Sequence, residues 1–500
     1  MKLSIAGLAR ACVVAAAGAG IVAAATQVDG TVALGSQPSR PSATNAPSGG
    51  AVTASSLTCP GSELTGVPGV DDIRTDTTVA AATAPESALD GLQTSGTKGS
   101  VKLLTMAGKP LTEAGSQRGV SIKAGVDRGT SVEVTGEGAL APGLAASQSW
   151  LVKSGDRRAL ASSTCGRTGT DLWLLAGGGA PGRQERLVLT NPGGNPVTVD
   201  VSLHGPDGKV ASGAGEGIVV PAHSRTAYLV DSIAPDIAWP AIHVVADGGV
   251  VGAALNDSWL DGVRPAGSDT VGPTAAPSRD QVIPAVAIGG AARIRVVVPG
   301  PDEAVVQARL LTPGGPRALP KGGVVRVAGG AVTDIDLTGV EPGWYAVQVR
   351  ADQPVAADAM VERSQPGRPA DFAWSASTAP IAGLAGTALP LPAGADAAGL
   401  RRQLVLTSAK DTATAEVLTV DSTGKASSQQ VKLGVDGASN VALPTGATSV
   451  WVRRATGDGQ VRAGVVSWLE DSEGMLLTAT PLSNVPLRSD AVTVRRAPLG

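Results

Sequence analysis

The sequence predicts an all-β chain of about four tandem sandwich modules, and three observations lead there. Apolar residues alternate with polar ones in short runs, as at Val197, Val199, Val201 and Leu203, which is the period of a half-buried strand. No stretch repeats apolar residues at i, i+3, i+4 and i+7 for long enough to make a sizeable helix. A strand followed by a glycine turn recurs four times, with Gly108, Gly208, Gly315 and Gly424 spaced by 100, 107 and 109.

The first element is an export segment over residues 1–25. Lys2 and Arg10 precede an uncharged run from Ala11 to Ala25, and Ala23, Ala24 and Ala25 offer a small-residue cleavage site. The segment reads as a signal peptide or a membrane anchor; Arg10 and Ala11 make Cys12 a poor lipidation site. Residues 26–58 then form a flexible stalk. From Gly30 to Ser62 the one charged residue is Arg40, and such a Ser/Thr/Pro/Ala/Gly-rich stretch buries too little apolar surface to offset its ordering entropy.

Beyond the leader two cysteines remain, Cys59 and Cys165, and an even number in an exported chain reads as a disulfide. Four modules follow, over 59–165, 166–270, 271–380 and 381–490. Trp239, Trp344 and Trp451 keep the repeat, 105 and 107 apart. So do Trp150, Trp259 and Trp468, each between a serine and a leucine, with the third module carrying Val361 to Ser364 instead. Turn chemistry at Gly205 to Gly208 and Asn191-Pro192 separates the strands. About seven short strands in roughly 75–80 residues describe an immunoglobulin-like sandwich, with a propeller of two small blades per copy as the alternative. Each module can bury its own faces. The Pro/Ala/Gly-rich stretches Asp261–Asp280 and Gln365–Gly399 therefore read as links in a mobile string of domains.

Composition narrows the function classes. The 500 residues carry 40 basic against 43 acidic side chains, a formal charge of −3, so nothing suggests binding to a nucleic-acid backbone. With one Phe, two Tyr and eight Trp, the cores must be built from Val, Leu, Ile and Ala. The preference for Arg over Lys and the richness in Ala and Gly fit a GC-rich, actinobacterial source.

Several quoted pieces resemble an actinobacterial exported family, domain of unknown function 5719. They are Ser56 to Pro60, Gly138 to Gly143, Cys165 with Asp171 to Trp173, Leu187 to Pro192, Gly205 to Gly208 and Val219 to Arg225. The resemblance spans roughly residues 55–480 and implies an envelope setting and a sandwich fold. It implies no reaction and no catalytic residue.

Chemical motifs are sparse. Gly177, Gly179 and Gly182 match a dinucleotide fingerprint by spacing, but a strand pattern follows where the phosphate-binding helix should start, so they read as a loop. His204, His223 and His243 match no metal-ligand spacing, and His204 and His243 read as solvent-facing strand residues. No Gly-x-Ser-x-Gly elbow is present. The tryptophans that recur in phase read as core. Trp173 and Trp374 fit neither series and are the candidate ligand platforms.

The expectation is therefore a non-catalytic extracytoplasmic envelope protein without cofactor or metal, acting as a surface scaffold or interaction partner near envelope polysaccharide assembly. Its partners would be an envelope polysaccharide or an envelope protein, with membrane contact only through the N-terminal segment if that segment is uncleaved. The alternatives are a carbohydrate-binding array using Trp173 and Trp374, and a carboxylate-dependent glycan hydrolase.

Overall fold

The computed structural model describes residues 49–63 and 76–489, apart from 95, 97, 128 and 397. The export segment and residues 26–48 of the stalk lie outside the described residues. The end of the segment read as flexible stalk is instead the strand Ala54–Cys59, paired with Val132–Gly138 of the first module. The described chain is all-β, with two three-residue 3-10 turns and no α-helix. Consequently no helix among the described residues is long and apolar enough to cross a membrane.

Each repeat folds into two facing antiparallel sheets, and alternation decides which side chains fill the space between them. In Val197–Gly205 the residues Val197, Val199, Val201 and Leu203 are buried while Thr198 and Asp200 are exposed. The equivalent strands Gly99–Thr105, Ala304–Thr312 and Ala413–Asp421 alternate likewise. Each pair of sheets encloses its own core of Val, Leu, Ile and Ala. Full burial of one such Val, Leu or Ile side chain stabilises by about 1.5–3 kcal/mol. In the third module the 21-residue strand Gly343–Arg363 runs through both sheets. Its first part pairs with Ser278–Ile288 and Ala304–Thr312, and its last part with Ala292–Val297 and Asp371–Ala376.

The modules are not a string. The last inner-sheet strand of each is Ala159–Thr164, Arg264–Val271, Asp371–Ala376 or Gly474–Pro481, and each forms an edge of a four-stranded layer. These four strands pack against one another in a closed cycle around one axis. The arrangement is propeller-like, with one four-stranded blade per repeat rather than two. Two of these strands fall in the stretches read as mobile links. Gly267 in one of them lets it approach the other closely, since a side chain there would come within 2.9 Å of Asp371 Cα and Phe372 N.

Two acids bind the axis together. Asp371 Oδ2 accepts the amides of Leu160 and Leu477, at 3.3 and 3.0 Å, so the third module holds the first and the fourth. Asp269 accepts from the Trp374 amide at 2.8 Å and from Thr478 Oγ at 3.2 Å, so the second holds the third and the fourth. Charged ties reinforce three of the junctions between modules. Arg225 meets Glu63 at 2.6 Å, Arg309 meets Asp436 at 2.6 Å, and the buried Arg158 meets Asp471 at 2.7 Å.

Two further features close the molecule. Cys59 and Cys165 form a disulfide with Cα atoms 4.3 Å apart, joining the beginning and end of the first module. The ends of the described chain also meet. Val52 N–H donates to Leu487 O at 3.2 Å and Gly143 N–H to Pro486 O at 2.8 Å, so the last segment is stitched onto the first module.

Candidate functional site

The junction between the second and third modules carries a cleft whose origin can be followed strand by strand. Ala292–Val297 lies between Val332–Asp336 and the end of Gly343–Arg363. Residues two apart on a strand share a face. Successive cross-strand triplets on one face are therefore Val297 with Val332 and Ala356, Arg295 with Asp334 and Asp358, and Arg293 with Asp336 and Met360.

The first triplet is apolar and packs on Trp173, Leu175 and Ala241 of the second module. The second is charged and buried. Arg295 grips Asp334 with two hydrogen bonds, at 2.8 and 3.0 Å, and donates to Gly177 O across the junction at 2.9 Å. Burial pushes the Asp358 carboxyl well above the usual carboxylate range, although Arg295 opposes the shift. From the second module, Arg183 makes a matching two-point pair with Asp257, at 2.8 and 2.5 Å. Two-point arginine–carboxylate pairs of this kind also fix geometry. Glu185 lies beside them, raised to about 7 by burial and then by Asp257, against the pull of Arg183.

The third triplet is where the junction opens. Arg293, Asp336 and Met360, with Ala291, Ala292 and Glu362, face Trp239 of the second module across a space of about 260 Å³. Trp239 is 39% exposed. Its loop is seated on the glycine-rich loop: Gly179 N–H donates to Ala238 O at 3.1 Å, and a side chain on Gly179 would come within 3.2 Å of Ala238 Cα. This close approach accounts for the glycine there. The strand Arg183–Asn191 follows that loop directly.

The polar groups of the cleft differ in how far they are engaged. Asp334 is shared by Arg295 and Arg293, the latter at 3.3 Å. Asp336 Oδ1 accepts from the amide and hydroxyl of Thr338, at 2.9 and 2.8 Å. Burial, with Arg183 nearby, lowers the pKa of Arg293. Glu362 has no ion pair among the described residues. No serine, cysteine or histidine lines the cleft. A second cavity of about 200 Å³ lies where the inner strands end, with Ser162, Thr164, Thr270, Ser377 and Thr378 among its hydroxyl-bearing walls.

The two tryptophans singled out as ligand platforms are corrected by the structure. Trp173 is 5% exposed because its strand, Asp171–Leu175, forms a sheet edge pressed onto the third module, and its indole stacks on His243 at 4.2 Å. Trp374 is 2% exposed on an inner strand, with Arg295 over its face at 5.1 Å. His204 is also buried, Nδ1 lying 2.7 Å from Gly330 O, rather than facing solvent. His243 is half-buried against Trp173 with Nε2 3.0 Å from Asp171 Oδ1. Among the described residues, no three His, Cys, Asp or Glu side chains come together as metal ligands.

The repeat spacing groups Trp239 with the core tryptophans. Trp150 and Trp451 are indeed buried, and Trp344 packs 4.8 Å from Trp468. Trp239 departs because Pro240 follows it. Proline donates no ladder hydrogen bond, so the strand starts only at Ala241 and the tryptophan stays in the loop.

A protein-family model described as a family of unknown function (DUF5719) matches residues 120–444, well over half of the chain. No curated protein matches the sequence. Among solved structures, the crystal structure of Thermotoga maritima 1070 is similar over 20% of this chain and 93% of that one, at 11% identity and a TM-score of 0.18. The Streptomyces avermitilis alpha-L-rhamnosidase complexed with L-rhamnose covers 79% of this chain and 55% of its own, at 11% identity and a TM-score of 0.11. At these scores neither likeness carries an argument about fold or activity.

Proposed function

The chain belongs to the DUF5719 family of unknown function, and from its geometry we propose that it is a non-catalytic extracytoplasmic protein that binds or presents a partner at the cell envelope. One observation carries this reading: how the buried charges are used. The buried Arg158, Arg183, Arg295 and Asp257, with the half-buried Arg309, Asp334 and Asp436, are held in ion pairs that lock modules or the junctions between them. What the closed ring leaves available is the Trp239 cleft, the cavity where the inner strands end and the outer sheet faces. The buried disulfide fits an oxidising compartment. The reading of Trp173 and Trp374 as a carbohydrate-binding array is set aside, because neither indole has a free face.

Co-sedimentation of the purified chain with isolated cell walls, before and after polysaccharide stripping, tests the proposal. Binding that disappears on stripping supports a polysaccharide partner, and binding that survives supports an envelope protein. Absence of binding to either preparation argues against an envelope-binding role.

A further inference from the structure

We infer that the Trp239 cleft is a subsite for one neutral sugar ring. The inference rests on the envelope-binding reading above and deepens it.

Three features of the cleft match that chemistry. First, Trp239 lines the cleft at 39% exposure, whereas Trp150, Trp173, Trp374 and Trp451 are buried to 5% exposure or less. A flat aromatic face suits the C–H patch of a pyranose, and an indole is apolar in body with one polar end. The platform is fixed rather than loose. Ala238 before it is tied to Gly179, and the Pro240 carbonyl after it accepts from Arg295 at 3.3 Å.

Second, the opposite wall pairs small apolar surface with directional polar groups. Ala291, Ala292 and Met360 leave room for a ring, while Asp336 and Glu362 supply acceptors and Arg293 a donor. Sugar hydroxyls both donate and accept, and an ionised carboxylate can only accept. Such a wall reads the positions of hydroxyls. The volume of about 260 Å³ is near the lower end for small-ligand pockets, which begin at about 300 Å³, so it suits one ring rather than a buried chain.

Third, the charge balance selects against acidic sugars. Arg293 and Arg295 share Asp334, at 3.3 and 2.8 Å, which leaves one positive charge in that trio. Asp336 and Glu362 then leave the rim negative, and a uronate or phosphate placed there would meet like charge.

The test is saturation-transfer NMR on the full chain with three neutral probes: the methyl glycosides of glucose, mannose and galactose. Methyl glucuronide serves as the acidic probe. Transfer is expected to at least one neutral glycoside and not to the glucuronide, and Trp239→Ala should lower it by about tenfold or more. Asp336→Ala provides a second variant should Trp239→Ala alter the melting profile, and the same loss is expected. No transfer to any neutral probe, or transfer undiminished in both variants, overturns the assignment, as does preferential transfer to the glucuronide. The two readings fail separately. Wall binding that persists without glycoside transfer removes only the cleft assignment. Glycoside transfer without wall binding removes the envelope role.

Discussion

The indole N–H of Trp374 donates to Asp257 Oδ2 at 2.8 Å, joining the third module to a carboxylate of the second that Arg183 already holds. Both residues are almost completely buried. The contact shows how the ring coheres: polar groups on strands near the axis are completed by a neighbouring module, so no module is self-sufficient there.

Trp374→Phe should therefore destabilise the protein by about 1–3 kcal/mol, the usual cost of leaving a buried acceptor short of a donor. Trp374→Ala should cost about 3–5 kcal/mol, because a cavity is added. Urea unfolding followed by circular dichroism measures both. Equal midpoints for Trp374→Phe and the parent chain would show that the Asp257 contact contributes nothing.

Burial holds the carboxyls of Asp269 and Asp371 well above the usual carboxylate range, despite the amides that donate to them. A raised folded pKa means that the folded chain binds the proton more tightly. The associated stability is complete below the unfolded value of about 3.9 and is lost as pH rises toward the folded value. Asp371→Asn keeps an acceptor for Leu160 and Leu477 and removes the titration. The urea midpoint of the parent should fall relative to that of Asp371→Asn as pH rises from about 4. Parallel curves would place the proton elsewhere.

Cys59→Ser should lower stability by about 4–5 kcal/mol in the chain-entropy model, since the disulfide closes a loop with a separation of 106 residues. Dithiothreitol should produce the same shift in the parent and none in the variant. An unchanged denaturation midpoint for Cys59→Ser would remove the disulfide from the stability argument.

Ending the chain at Leu482 should open the seam between the first and fourth modules. Amide exchange at Val52 and Gly143 should accelerate strongly, because Leu487 and Pro486 accept their hydrogen bonds. The paired strands around Leu103 and Val134 should stay protected. Uniform acceleration would mean that the terminal segment supports the whole fold and not only the seam.

Trp173→Ala separates the packing role of Trp173 from ligand binding at Trp239. It should weaken the packing against Val297, Val332 and Ala356 and lower the melting temperature. Transfer to neutral glycosides at the Trp239 cleft should be retained at a temperature where the variant is folded. Loss of transfer with intact melting would reassign the platform.

The repeat, the alternating strands and the turn glycines were legible because they are local: a period of two and a turn conformation are written in neighbouring residues. The cysteine pair was legible from number and setting, and belongs to one module. Closure of the ring was not. Asp371 with Leu477 and Trp374 with Asp257 are more than 100 residues apart, and nothing in a single sequence marks such partners. Small residues in Arg264–Val271 and Asp371–Ala376 look the same in a mobile link as in strands crowded on an axis. The fate of the tryptophans divides in the same way. Pro240 kept Trp239 out of its strand, a local signal, but burial of Trp173 and Trp374 depended on which module face came to lie against them. The sequence by itself determined an all-β repeat chain with a disulfide, because periodicity and turns act over a few residues. Only the tertiary structure decided which side chains meet between modules, because that contact is set by how the completed sheets pack.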